Sequence, residues 1–224
     1  MKVDEFMDKG TKKFVITVVT LGVVVFIFSI LYYMNVIPHI KYTNDDFNIE
    51  TYISKIDKDE DGIDDQTDIL ESVRAYIATK PKYKSKYYET GYPNDSYGVC
   101  TDVVAFGLLG AGYDIQELLY NDVKAHKDRY DIEVIDKNID FRRVKNLKVY
   151  LENSAISLTT DIRDIDEWQG GDIIVFPKHV GIISDKRNIK GVPFVIHNAG
   201  KLQFGYEQDI LENSTMIEGH YRIS

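Results

Sequence analysis

The chain has one cysteine, one tryptophan and five prolines in 224 residues. A lone thiol cannot form an internal disulfide, so the fold has to stand on its hydrophobic core. With 44% hydrophobic residues there is apolar material for one sizeable core. Basic residues are also scarce: 27 Lys and Arg face 36 Asp and Glu, a formal net charge of −9. That surplus argues against nucleic acid as a partner. The remaining absence is local, because no Asp, Glu, Lys or Arg occurs from Phe14 to Ile40.

The most apolar part of that run, FVITVVTLGVVVFIFSILYYM, is 21 residues long, and ~20 suffice to cross a bilayer as a helix. Signal-peptide apolar regions are shorter, about 7–15 residues, and end in small residues. This run ends in the bulky YYMNVIPHI, with Tyr32 and Tyr33 where an interfacial aromatic belt belongs. The segment 14–37 is therefore expected to be a retained membrane anchor. Lys2, Lys9, Lys12 and Lys13 precede it and only Lys41 follows closely. By the positive-inside rule, the arm 1–13 is cytoplasmic and everything beyond the anchor lies outside.

Residues 38–56 are polar with scattered aromatics and read as a linker. Next, QTDILESVRAYIAT spaces Ile69, Leu70, Val73, Tyr76 and Ile77 as one face of a helix that Pro81 stops. A Tyr/Lys-rich loop leads into a second helix beginning at Cys100 and ending near Gly110 and Gly112. Helical patterns follow over 115–126 and 141–153. From Trp168 the pattern changes to short runs, DIIVF, HVGIIS, PFVIHNAG and GHYRIS, each bounded by turn residues. Helices first and an antiparallel sheet afterwards indicate one α+β domain over 69–224. No internal repeat is present.

Cys100 follows a glycine at the head of the apolar helix CTDVVAFGLLG. A helix N-terminus lowers a thiol pKa and offers free N–H groups to an oxyanion. Alone, such a cysteine is more often a small core hydrophobe. His179 opens the strand HVGIIS, and His197 lies in the next strand, FVIHNAG. If those strands pair, a residue of the second can orient the imidazole of the first, as in a nucleophile–base–orienter triad. His197 and Asn198 face opposite sides of the sheet, so only one of them can be the third member. His39, His126 and His220 read as structural.

The stretch DKDEDGIDDQTD, 57–68, has the D-x-D-x-D-G spacing of calcium loops, with Gly62 at the sharp turn. Asp57, Asp59, Asp61, the Ile63 carbonyl, Asp65 and Asp68 are the candidate ligands of a structural Ca²⁺. The bland reading is an acidic linker capping the next helix.

The order GVCTD, W-x-GGDII-x-F, HVGIISD, VIHN and GHYR resembles the DUF1287 family, within the papain-like superfamily that includes the NlpC/P60 cell-wall peptidases. The resemblance runs from about Asp57 to the C-terminus. It implies a papain-like α+β fold and a cysteine amidohydrolase with Cys100, His179 and His197 as catalytic residues, no cofactor for catalysis, and peptidoglycan stem peptide as substrate. The chain departs from the NlpC/P60 pattern in having Thr101-Asp102 after the cysteine rather than Ser-Gly, and in a longer spacing between the histidines. Tyr92, Tyr97, Asp102 and Arg142 are candidate substrate contacts. The expected protein is thus a membrane-anchored, extracytoplasmic cysteine hydrolase with cell-wall peptide and the membrane as partners, its oligomeric state open. The same machinery can serve acyl transfer or lipid amide and ester cleavage. From another class, an unreactive Cys100 would leave a calcium-braced wall-binding module.

Overall fold

The computed structural model describes residues 8–214 and 216–224, in two units that divide between His39 and Ile40. Lys2 of the N-terminal arm lies outside the described residues. The first unit carries helix α1, Lys9–Tyr33, which is long and apolar enough to cross a membrane and has no buried residue. It starts before the predicted Phe14 because the Asp8 carboxylate caps it, accepting from the N–H groups of Gly10 and Thr11 at 2.7 and 3.1 Å. It ends at Tyr33, shortly before Asn35 turns left-handed at φ 54°.

In the second unit, α2 (Asp65–Ala78) is followed by the two-residue strands β1 (Lys82–Tyr83) and β2 (Tyr97–Gly98), which pair in parallel. Helix α3 (Cys100–Gly110) and helix α4 (Ile115–Ala125) come next. The helix expected over 141–153 is α6 (Val144–Ser154), and a separate short helix α5 (Lys137–Asp140) precedes it across a break. The break holds Phe141 in the core while freeing the Arg142 carbonyl to accept from Thr101 Oγ1 at 3.1 Å. Strands β3 (Ile156–Ser157), β4 (Ile173–Phe176), β5 (His179–Arg187), β6 (Pro193–Ile196), β7 (Glu207–Gln208) and β8 (Gly219–Arg222) form one antiparallel sheet in the order β3-β8-β4-β5-β6-β7. The mixed α+β class and small antiparallel sheet agree with the sequence reading. The two-residue strands β3 and β7 were below the reach of any periodicity.

Strand alternation sorts the core into two layers. Ile173, Val175, Val180, Ile182 and Ile196 meet α2, α3, α4 and α6 through Val73, Val104, Leu108, Leu119 and Leu151. The opposite face, with Ile174, Phe176, Ile183 and Val195, is covered by Trp168, Val192 and Leu211. Burying a side chain such as Leu108 or Ile182 contributes about 1.5–3 kcal/mol, so the sheet and α3 form a firm platform. Helix α2 lies close on α3 at Gly107, where a Cβ would come 2.4 Å from Val73 Cγ2.

The expected linker is corrected from residue 40 onward: 40–56 belongs to the folded unit. Tyr42 pairs with Arg187, exchanging both backbone hydrogen bonds at 2.9 Å. Gln169 Oε1 accepts from Asn44 Nδ2 and from the Tyr52 N–H. Tyr52 Oη donates to the Ser224 carbonyl at 2.9 Å, and the Ser54 and Ser224 hydroxyls are hydrogen-bonded at 2.8 Å. The polar side chains that made the segment look solvated are the groups that stitch it to β5 and to the C-terminus.

Candidate active site

Extended backbone at Val99 (φ −134°, ψ −178°) ends the approach to α3, and Cys100 takes the first helical position. The Asp102 carboxylate reaches back to accept from the Val99 N–H at 2.8 Å, the acidic half of a capping box. Cys100 is 9% exposed, and the N–H groups of Val180 and Thr101 face its sulfur. The expected depression of the thiol pKa is not what this site produces. Burial pushes the thiol up, the negative charge of Asp102 adds to that, and the facing N–H groups offset it only in part. The resting thiol therefore keeps its proton at neutral pH.

Val180, whose N–H meets the sulfur, is the neighbour of His179 at the mouth of β5. The structure brings His179 and His197 together, with Nε2 of the first 2.8 Å from Nδ1 of the second. Register explains the approach. Ile182 pairs with Ile196, so His197 falls opposite Gly181, and a Cβ at Gly181 would come 3.3 Å from His197 Cβ and 3.0 Å from the Ile196 carbonyl. His197 Nε2 in turn meets Gln208 Oε1 at 3.0 Å. Gln208 pairs with Val195 across β6 and β7, which puts it on the face that His197 shares. Sequence reasoning missed Gln208 because β7 is two residues long. Asn198 turns away, donating to the carbonyls of Pro81 and Gly98 at 2.9 and 3.2 Å.

The chain of contacts assigns tautomers. The Gln208 oxygen accepts, so His197 Nε2 carries a proton and its Nδ1 is an acceptor. His179 Nε2 then carries its proton, and His179 Nδ1 is left with a lone pair. Both rings are neutral near pH 7, because burial pulls His179 down to about 4 and His197 to about 3, the latter helped by the neighbouring His179. Among the described residues no hydrogen bond yet joins the thiol to His179. Such contacts are commonly long before substrate binds.

The four candidate substrate contacts divide. Asp102 and Arg142 form a buried bidentate ion pair, Nε to Oδ1 at 2.6 Å and Nη2 to Oδ2 at 2.9 Å, with Arg142 Nη1 donating to the Lys86 carbonyl at 2.6 Å. Their side chains are 0% and 1% exposed, so they hold the Cys100 turn rather than a ligand. Tyr92 also faces inward, its hydroxyl on Asp114 at 2.9 Å and its ring against Phe106 and Phe141. Tyr97 alone lines an open groove, a cavity of about 400 Å³ shared with Lys82, Tyr83, Asn198, Lys201 and Tyr206. This groove flanks the loop into Cys100 and the end of β6 beyond His197. His220 is structural, stacked on Trp168 at 3.9 Å and bonded to Asp172, which also takes two hydrogen bonds from Arg222.

The acidic loop is a separate feature ahead of α2. Ligand atoms of Asp57, Asp59 and Asp61 all lie within 4.8 Å of one another. Asp65 is corrected out of this group: its Oδ1 accepts from the Lys58 N–H at 2.7 Å and its Oδ2 from Tyr113 Oη at 2.5 Å. Asp64 provides the cap of α2, accepting from Gln66 and Thr67.

Fold and site together define a mixed α+β domain with a helix-start cysteine, its sulfur met by the Val180 N–H, and a hydrogen-bonded histidine pair on the sheet. Comparison with known proteins adds the family: residues 70–223 match the model described as "Domain of unknown function (DUF1287)". The chain belongs to that family. An uncharacterised protein of Escherichia coli K12, YijF, is 31% identical over 167 residues, covering 69% of this chain and 80% of its own. No solved structure matches the chain.

Proposed function

We propose that this protein is a membrane-anchored, outward-facing cysteine amidohydrolase of papain-like type, acting on cell-wall peptide. The observation that carries the reading is the relay from Gln208 through His197 to His179, which leaves a lone pair on Nδ1 of the residue next to Val180, whose N–H meets the Cys100 sulfur. Sulfur attacks the amide carbonyl as its proton passes to His179 Nδ1, so thiolate forms only as it reacts. The oxyanion is held by N–H groups at the start of α3. His179, now cationic, gives its proton to the departing amine as the C–N bond breaks. The thioester is then cleaved by a water whose proton His179 accepts, and the acid leaves with the thiol restored. Lys82 and Lys201 in the groove suit the free carboxylates of stem peptides. Lys9, Lys12 and Lys13 at the N-terminal end of α1 support an outward-facing domain.

Digestion of purified muropeptides by the full-length chain, with products read by mass spectrometry, tests the reading. Amide cleavage is expected with the wild type and none with Cys100→Ala. Cleavage by Cys100→Ala overturns the mechanism, and no cleavage by the wild type overturns the substrate.

The pH profile gives a second test. His179 must be neutral to act, and its pKa lies near 4, so kcat/KM is expected to hold at pH 5 and fall as the pH drops through about 4. An acid limb near 6.5, the ordinary histidine value, would mean that the base is a solvated imidazole instead.

A further inference from the structure

Gly62 stands at φ 95° and Glu60 at φ 62°, so the chain folds back on itself between the carboxylates of Asp57, Asp59 and Asp61. Three such groups on a surface loop need no ion. The informative residue is Asp68, in the first turn of α2. It is 6% exposed, and among the described residues its buried Oδ2 has no hydrogen-bond partner. A buried, unpaired carboxylate oxygen is costly. Its surroundings add to that cost, because Asp61, Asp59, Asp57 and Asp65 lie close enough to repel its charge. A cation among these carboxylates would relieve the repulsion and give the orphaned oxygen a partner.

We propose that Asp57, Asp59, Asp61, the carbonyl of Ile63 and Asp68 bind one calcium ion that braces the helix pair carrying the thiol. All the donors are oxygens, the choice of a hard divalent cation. Asp68 supplies from the helix the carboxylate that closes such loops. Asp65, with both oxygens committed to Lys58 and Tyr113, holds the loop in place from outside the coordination sphere. The brace extends to α3. Gly112, just past the end of that helix, packs on the loop, where a Cβ would come 3.1 Å from Asp59 Cβ and 3.2 Å from Lys58 Cγ. The ion therefore fastens the start of α2 and the far end of the helix that begins at Cys100. This inference is independent of the proposed reaction.

The test is thermal unfolding and calorimetry of the full-length chain in detergent, in chelator and in about 10 mM calcium, a concentration that fills sites as weak as ~1 mM. One ion per chain is expected, with a Tm rise of about 5–10 °C where calcium exceeds Kd by about 100-fold. Magnesium at equal concentration should produce a much smaller rise, since it prefers a smaller octahedral site with retained waters. Asp68→Asn is expected to abolish the calcium response yet melt no lower than the wild type in chelator, because it removes a repelled charge. That second readout separates loss of a ligand from misfolding, and Asp59→Ala should likewise lose the response. Equal Tm with and without calcium and no binding heat overturn the proposal. So does an Asp68→Asn chain that keeps the full calcium response.

Discussion

Replacing His179 with alanine is expected to lower turnover about 10³-fold or more, as completely as Cys100→Ala does. In the proposed reaction the two residues act as one unit: without the base the buried thiol stays protonated, and without the thiol the base has nothing to activate. The double variant should therefore be no slower than either single one. Steady-state rates on one peptide substrate check this, with thermal unfolding confirming that each variant folds. His197→Ala is expected to cost less, about 10–100-fold, because it removes the acceptor that sets the tautomer and not the reacting atom. His197→Asn, whose side-chain oxygen can accept from His179 Nε2, should recover part of that loss. Multiplying losses in the Cys100/His179 double variant, or an unaffected His197→Ala enzyme, would mean that the relay does not serve the reaction.

The largest expected stability effect lies beneath the same turn. Asp102→Asn leaves the Arg142 guanidinium buried without its carboxylate and weakens the hydrogen bond to the Val99 N–H. Removing one member of a buried ion pair costs about 3–5 kcal/mol, which for a domain of this size lowers Tm by about 10 °C. Arg142→Met should be similarly damaging, since it strands the Asp102 charge. Replacing both by well-packed apolar residues should cost much less than either single change, because the expense lies in the orphaned partner. Thermal melts of the three variants decide it. If Asp102→Asn melts with the wild type while KM rises sharply, the pair belongs to substrate recognition after all.

These expectations show where the sequence was informative. The strands HVGIIS and VIHN were legible because their composition and turn residues are local signals, and alternation within them separates His197 from Asn198. The acidic loop was legible because its spacing is its geometry. The pairing of Asp102 with Arg142 was not: about forty residues separate them, and both looked like polar groups waiting for a ligand. Gln208 was hidden in a strand too short to show a pattern. The direction of the Cys100 shift was misread for a related reason. A helix start can be recognised in the sequence, but the burial that outweighs it comes from the core shared with the sheet, which arrives some seventy or more residues later. Residues 40–56 looked like a tether because their partners, Arg187, Gln169 and Ser224, come from the other end of the chain.

The Tyr42–Arg187 pairing has a mechanical consequence. In the proposed anchored form, tension on the N-terminal segment reaches the domain through residue 40 and meets two backbone hydrogen bonds at the end of β5 remote from His179. Arg187 anchors that end, its guanidinium donating to Asn44 and to the carbonyls of Ile165, Trp168 and Gly191. A pull therefore loads a latch that can yield and re-form by itself, at the far end of the strand from His179.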